Sequence, residues 1–134
     1  MKGDSGDNVK ISTDELLFFN PMPQLLPIYE ELKTRLEARY PEMTLRVTKT
    51  QISFRSRYVF AMVSLPYRRK KDWPREYLMI SFGLDHRVDS PRIVEAVEAY
   101  PSRWTHHVLA VGRKDIDERI MNWLDEAYNF SMIK

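Results

Sequence analysis

Apolar residues recur every three to four positions through Leu25, Ile28, Tyr29, Leu32 and Leu36, the stripe of a helix with one buried face. This spacing predicts a helix over about 24–40. Pro27 falls in its first turn, where a missing N–H costs little, and Pro41 ends it. A shorter helix precedes it, because Ser12 and Glu15 have the S-x-x-E spacing of a capping box and introduce Leu16, Leu17, Phe18 and Phe19. The residues before it, 1–11, are polar and aperiodic and are expected to form a poorly ordered tail.

Beyond Pro41 the period falls from nearly four to two, the mark of strands. Leu45 and Val47 alternate with Arg46 and Thr48, and Ile52 and Phe54 with Ser53 and Arg55, around a turn at Lys49, Thr50 and Gln51. A third strand, Tyr58 to Leu65, is apolar on both alternating sets; a fourth, Tyr77 to Phe82, turns Leu78, Ile80 and Phe82 inward. Ser90-Pro91 has the form of a helix start, with Ile93, Val94 and Val97 as its apolar side and Pro101 as its end. Trp104 to Val111 reads as a fifth strand. A last helix begins near Asp115 and buries Ile116, Ile120, Trp123, Leu124 and Ala127. The expected fold is therefore one α+β domain over residues 12–134, in the order ααββββαβα, with helices packed on a mainly antiparallel five-stranded sheet.

This pattern carries a resemblance. The segments LRVTKTQISFRSRYVFAMVSLP and WTHHVLAVGRKDIDERIMNWLDEAYNF resemble, from Phe18 onward, an uncharacterised bacterial domain-of-unknown-function family often attached to predicted transport proteins. The ending HHVLAV…DIDERIMNWLDEAY is also similar, more loosely, to the MmcQ/YjbR-like proteins, a small α+β family suggested to bind DNA. The resemblance implies an α+β fold, and neither family brings a catalytic set with it.

Composition removes several chemistries. The 134 residues include no cysteine, which excludes disulfides, thiolate metal sites and thiol nucleophiles. No apolar run approaches the length of a membrane span, so a cytoplasmic protein without membrane insertion is expected. The net charge of +2 is concentrated. Between Leu65 and Tyr77, five cations stand against Asp72 and Glu76, a local +3 that leaves −1 for the rest of the chain.

Arg68, Arg69, Lys70, Lys71 and Arg75, interleaved with Tyr67 and Trp73, have the composition of a nucleic-acid grip, with cations for phosphates and rings for stacking. A solvated strand connection has the same composition. Arg46, Thr48, Ser53 and Arg55 form a second candidate set, on the face opposite Leu45, Val47, Ile52 and Phe54, where an ordinary solvated sheet face looks the same. The remaining candidates are His86, His106 and His107. As neighbours on a strand, His106 and His107 point to opposite faces and do not share a metal. His86, beside Asp85 and Asp89, is the possible half of an acid–base pair. No hydrolase, phosphate-loop or zinc motif accompanies them, and no metal or cofactor is expected.

The aromatic surplus of the third strand calls for cover, by the first helix through Leu17, Phe18 or Phe19, by a second copy, by another protein or by a ligand. The leading expectation is a non-enzymatic binding or interaction module. A nucleic-acid-binding domain using the 67–77 loop comes second, and an enzyme built on a histidine third.

Overall fold

A computed structural model describes residues 10–67 and 70–133. The polar tail expected over 1–11 lies outside them except for Lys10 and Ile11, and so do Arg68 and Arg69.

Helix α1 (Thr13–Phe18) opens on the capping box that its sequence specifies, with Glu15 N–H donating to Ser12 Oγ and Ser12 N–H to Glu15 Oε1. A 3₁₀ turn (Pro23–Leu25) leads into α2 (Leu26–Arg39), whose Ile28, Tyr29, Leu32 and Leu36 are all buried. The Glu15 carboxylate has a second use. It accepts from the Tyr29 hydroxyl and lies 2.8 Å from Lys33 Nζ, which also donates to the Lys10 carbonyl at 2.6 Å. Burial raises the Glu15 carboxyl, but Lys33, the Ser12 amide and Tyr29 outweigh it and hold the group below its ordinary value.

The strands are β1 (Thr44–Val47), β2 (Ile52–Arg55), β3 (Val59–Ser64), β4 (Leu78–Leu84), β5 (Ile93–Tyr100) and β6 (Arg103–Ala110). They form one antiparallel sheet in the order β1-β2-β3-β4-β6-β5. A 3₁₀ turn (Arg113–Asp115) then leads to α3 (Glu118–Ile133), where Asp117 Oδ1 caps the Ile120 N–H at 3.1 Å.

The α+β class is therefore as expected, but the strand count is six rather than five, and the order ααββββαβα gives way to ααββββββα. The discrepancy is one element: the segment expected to be a helix between Ser90 and Pro101 is the edge strand β5. Its start signal is genuine but closes a single turn, in which Ser90 Oγ accepts from Arg92 N–H and the Ser90 carbonyl from Ile93 N–H. Pro101 does not end a helix. It turns the chain back, with Ser102 at φ 63°, into the β5–β6 hairpin, the proline and positive φ of a type II turn. Pairing along β6 outweighs the helical propensity of Glu95, Ala96, Glu98 and Ala99, because propensity is worth only tenths of a kcal/mol per residue.

One face of the sheet is packed under the helices. Ile52, Phe54, Ala61, Val63, Ile80, Phe82 and Val108 meet the α2 stripe and Ile120, Trp123, Leu124 and Ala127 of α3. Phe60, beside a β-bulge, turns to the same side and packs edge-on against Tyr40 and Tyr128. Among the described residues no helix crosses the middle of the other face, where Met62, Ser81 and His107 lie.

Candidate functional site

Strand register places one residue from every strand in a single row across this open face. In spatial order the row is Arg46, Ser53, Met62, Ser81, His107 and Glu95. Each is the register partner of the next, so the side chains stand side by side on the pleated surface. At the centre, Ser81 Oγ lies 2.6 Å from His107 Nδ1. With the ring neutral and its proton on Nε2, Nδ1 accepts the serine hydroxyl.

The pair lies in a half-open cleft of about 560 Å³. Met62 and Met79 contribute apolar surface from the strands, and Phe18, Leu65 and Tyr67 close in from α1 and the β3–β4 connection. Ser64, Ser81 and His107 give it a polar strip, and Thr50 and Gln51 of the β1–β2 turn form another wall. That turn is held by Thr48, whose Oγ1 bonds the Gln51 carbonyl at 3.1 Å and accepts from the Gln51 N–H at 3.2 Å. Lys49 is the one formally charged side chain among the described lining residues, and no carboxylate lies among them. The cleft therefore offers apolar contact, hydrogen bonding and a positive rim.

The cover expected from the first helix is divided. Phe19 is buried against Tyr29 on the helical side, Phe18 reaches the cleft, and Leu17 is exposed. Met79, buried at 1% exposure, is met by the Tyr67 hydroxyl at 4.0 Å from its sulfur. The surplus is thus divided: Met79 is met by the β3–β4 connection, Phe60 packs against Tyr40 and Tyr128 on the helical side, Met62 lines the cleft, and Tyr58 is exposed.

That connection folds back on the sheet. Lys70 Nζ lies 3.0 Å from Glu95 Oε2 and 5.4 Å from the Trp73 ring centre, and Trp73 stands edge-on to the buried Tyr77 at 5.8 Å. Lys71 and Arg75 are exposed, and the candidates Arg68 and Arg69 lie outside the described residues. Arg46 and Arg55 are both exposed and flank a smaller hollow of about 300 Å³ with Thr44, Thr48 and Ser53, on the far side of Gln51 from the cleft's Ser81 and His107.

The histidines occupy three unrelated settings. His86 Nδ1 lies 2.7 Å from its neighbour Asp85 on the surface, where this hydrogen bond lowers the Asp85 carboxyl. His106 is buried under the helices, stacked on Phe82, with Nε2 accepting from Val88 N–H at 2.9 Å. Only His107 lines the cleft. Among the described residues no three His, Asp or Glu side chains converge as a metal requires, and no helix is long and apolar enough to cross a membrane.

Reading the sequence alone missed Ser81, Ser64 and Glu95 as site residues. Alternation in β4 places Ser81 opposite Leu78, Ile80 and Phe82, but its neighbour His107 comes from a strand 26 residues away. No local signal reports that pairing.

No curated protein and no solved structure matches the chain. A model of the family described as a domain of unknown function, DUF5655, matches residues 17–131, from within α1 almost to the end of α3, and the chain accordingly belongs to the DUF5655 family.

Proposed function

We propose that the protein is a binding module whose ligand is a small amphipathic anion held in the open-face cleft. The observation that carries this reading is the cleft's composition: methionine and aromatic surface beside a hydrogen-bonded Ser81–His107 pair, with Lys49 at the rim and no described carboxylate in the lining. A volume of about 560 Å³ is that of a small-molecule site, and such sites combine apolar walls with a few placed polar groups. The ligand's apolar body lies against Met62 and Met79, and its polar head turns toward Ser81, His107 and Lys49. A sensing role fits the resemblance to domains attached to predicted transport proteins.

Anilinonaphthalene sulfonate, an apolar ring system with one negative charge, is a suitable probe. Binding should be one to one with a dissociation constant on the order of tens of micromolar, from about −0.3 kcal/mol per ligand heavy atom. Met62→Trp, which fills the cleft, should abolish it, whereas Leu17→Ser on the outer side of α1 should not. Equal binding by wild type and Met62→Trp would refute the reading.

A second reading, nucleic-acid binding, has its own supporting observation: Arg46 and Arg55 stand exposed together on the open face, in line with the looser likeness to MmcQ/YjbR-like proteins. With Lys71 and Arg75 as further contacts, four phosphates neutralised give a log–log salt slope of roughly −3.6 on duplex DNA. Oligonucleotide titrations at two salt concentrations decide it. A flat slope, or binding indifferent to Arg46→Glu and Arg55→Glu, excludes this use of the face.

A further inference from the structure

The Ser81–His107 pair has a property that ligand binding does not require. A serine hydroxyl within hydrogen-bond reach of an imidazole nitrogen, on the wall of a cleft that admits small molecules, is the arrangement by which a general base activates an oxygen nucleophile. Three observations bear on it. The Oγ–Nδ1 distance is 2.6 Å, inside the 2.6–3.2 Å reach such a base needs. Ser81 is 4% exposed, held by its strand among packed neighbours, so its hydroxyl is fixed relative to the ring. Both residues nevertheless line the cleft, so a small carbonyl compound that enters it meets the serine oxygen.

The other two serines of this face lack that base. Ser53 receives the Gln51 amide at 3.2 Å, and Ser64 stands in register with Met79. Among the three, the described contacts pair Ser81 alone with an imidazole.

We propose that Ser81 is a nucleophile activated by His107 and that it accepts the acyl group of small esters entering the cleft. In the step, Ser81 Oγ bonds to the ester carbonyl carbon as its proton passes to His107 Nδ1. The bond from that carbon to the leaving oxygen breaks, the alcohol or phenol oxygen departs with the bonding pair, and the proton on His107 passes to it or to water. The products are an acyl-serine and a free alcohol or phenolate. Backbone N–H groups within a paired sheet are committed to the ladder, so the developing oxyanion must be met by side chains, of which the Ser64 and Thr50 hydroxyls line the same cleft. Dedicated oxyanion donors are each worth about 10²–10³ in rate. Both acylation and deacylation pass through such an oxyanion and are slowed alike, so an activated phenyl ester, whose good leaving group speeds acylation alone, makes the acyl-enzyme the species to measure.

The test incubates the full chain with p-nitrophenyl acetate, follows nitrophenolate release, and maps the acetyl group by peptide mass spectrometry. The expected result is a burst of one equivalent with the acetyl group on Ser81, ahead of Ser53 and Ser64; this selectivity needs no variant. Ser81→Ala should remove the burst, and His107→Gln should slow it by about 100-fold, the scale of general-base assistance. Acetylation confined to Lys49, Tyr67 or other surface groups would overturn the proposal, as would a Ser81 rate unchanged in a folded His107→Gln protein. The outcome is separable from the binding reading. Sulfonate binding without Ser81 acetylation refutes the nucleophile alone, and acetylation without sulfonate binding refutes the anion-binding reading alone.

Discussion

His106 and His107 are consecutive residues of β6, yet they belong to different environments. His106 lies against the helices, fully buried, its ring stacked on Phe82 at 5.1 Å and its Nε2 used up by the Val88 N–H. His107 faces the cleft, bonded to the Ser81 hydroxyl and next in register to Glu95. The contrast extends to whole faces of the sheet. Under the helices polar groups are enclosed and nearly all partnered, as Glu15, Tyr29 and Lys33 show; among the described residues the single orphaned buried side-chain atom is His106 Nδ1. On the open face a row of polar side chains runs across the sheet beside a space that a small molecule can occupy. The first face holds the fold together, and the second is where an outside molecule can act.

Substitution of adjacent residues in β4 gives the sharpest test of this division. Phe82→Ala, on the helical face between His106 and Trp123, should lower stability by about 4 kcal/mol through lost burial and a residual cavity; urea unfolding measures it, and a loss below about 1 kcal/mol would erase the distinction. Lys33→Met should cost about 3 kcal/mol, because the Glu15 carboxylate would stay buried without its cation. The loss should shrink as pH falls through and below the ordinary glutamate range, because the variant's buried carboxyl, without the cation that holds it low, takes up a proton at a higher pH than the paired one does. A cost independent of pH would mean that the ion pair is not what secures α1.

Acid should act through the helical face next. Burial, chiefly, pushes His106 below its ordinary value of 6.5, with nearby His86, His107 and Arg87 adding to the effect against a Phe82 backbone contact. The folded state then binds fewer protons than the unfolded one between the lowered value and 6.5. The stability that His106 contributes is complete above 6.5 and is lost as pH falls through that window. Melting curves at pH 8 and pH 5 should show a drop that is smaller in His106→Gln, which keeps an acceptor for Val88 but cannot take up a proton. An identical drop in both proteins would remove His106 from the acid response. The smallest effect is expected at Ser81→Ala, at most about 1 kcal/mol, because a hydroxyl bordering the cleft leaves its partner within reach of water. A larger loss would mean that the Ser81–His107 bond is structural, against its assignment to the open face's chemistry.

The helices were legible from single residues. The Ser12–Glu15 box, the Ile28 to Leu36 stripe and Ile120, Trp123, Leu124 and Ala127 of α3 are local signals, read by the backbone within a turn or two, and the structure carries each of them, while Leu25 and Ile116 are buried just before their helices begin. The alternation of Ile52 and Phe54 likewise set which face those residues bury, because successive strand side chains point to opposite sides. At Ser90 the local signal was real but brief. The cap closes one turn, and then pairing with β6 takes the following eight residues, a competition settled by a strand that comes later in the chain.

The site was less legible for the same reason. Composition drew the eye to Arg68, Arg69, Lys70, Lys71 and Arg75, and among the described ones Lys70 is engaged by Glu95 and Trp73 while Lys71 and Arg75 stand in solvent. Ser81 has no sequence signature, since a lone serine in an apolar strand looks like any other. By itself the sequence determined the helical stripes, the caps and the alternation of strand faces, all of which depend on residues a few positions apart. Only the tertiary structure decided that β4 lies between β3 and β6, and thereby that Met62, Ser81, His107 and Glu95 stand in one row, because register between distant strands is set by the packing of the whole sheet.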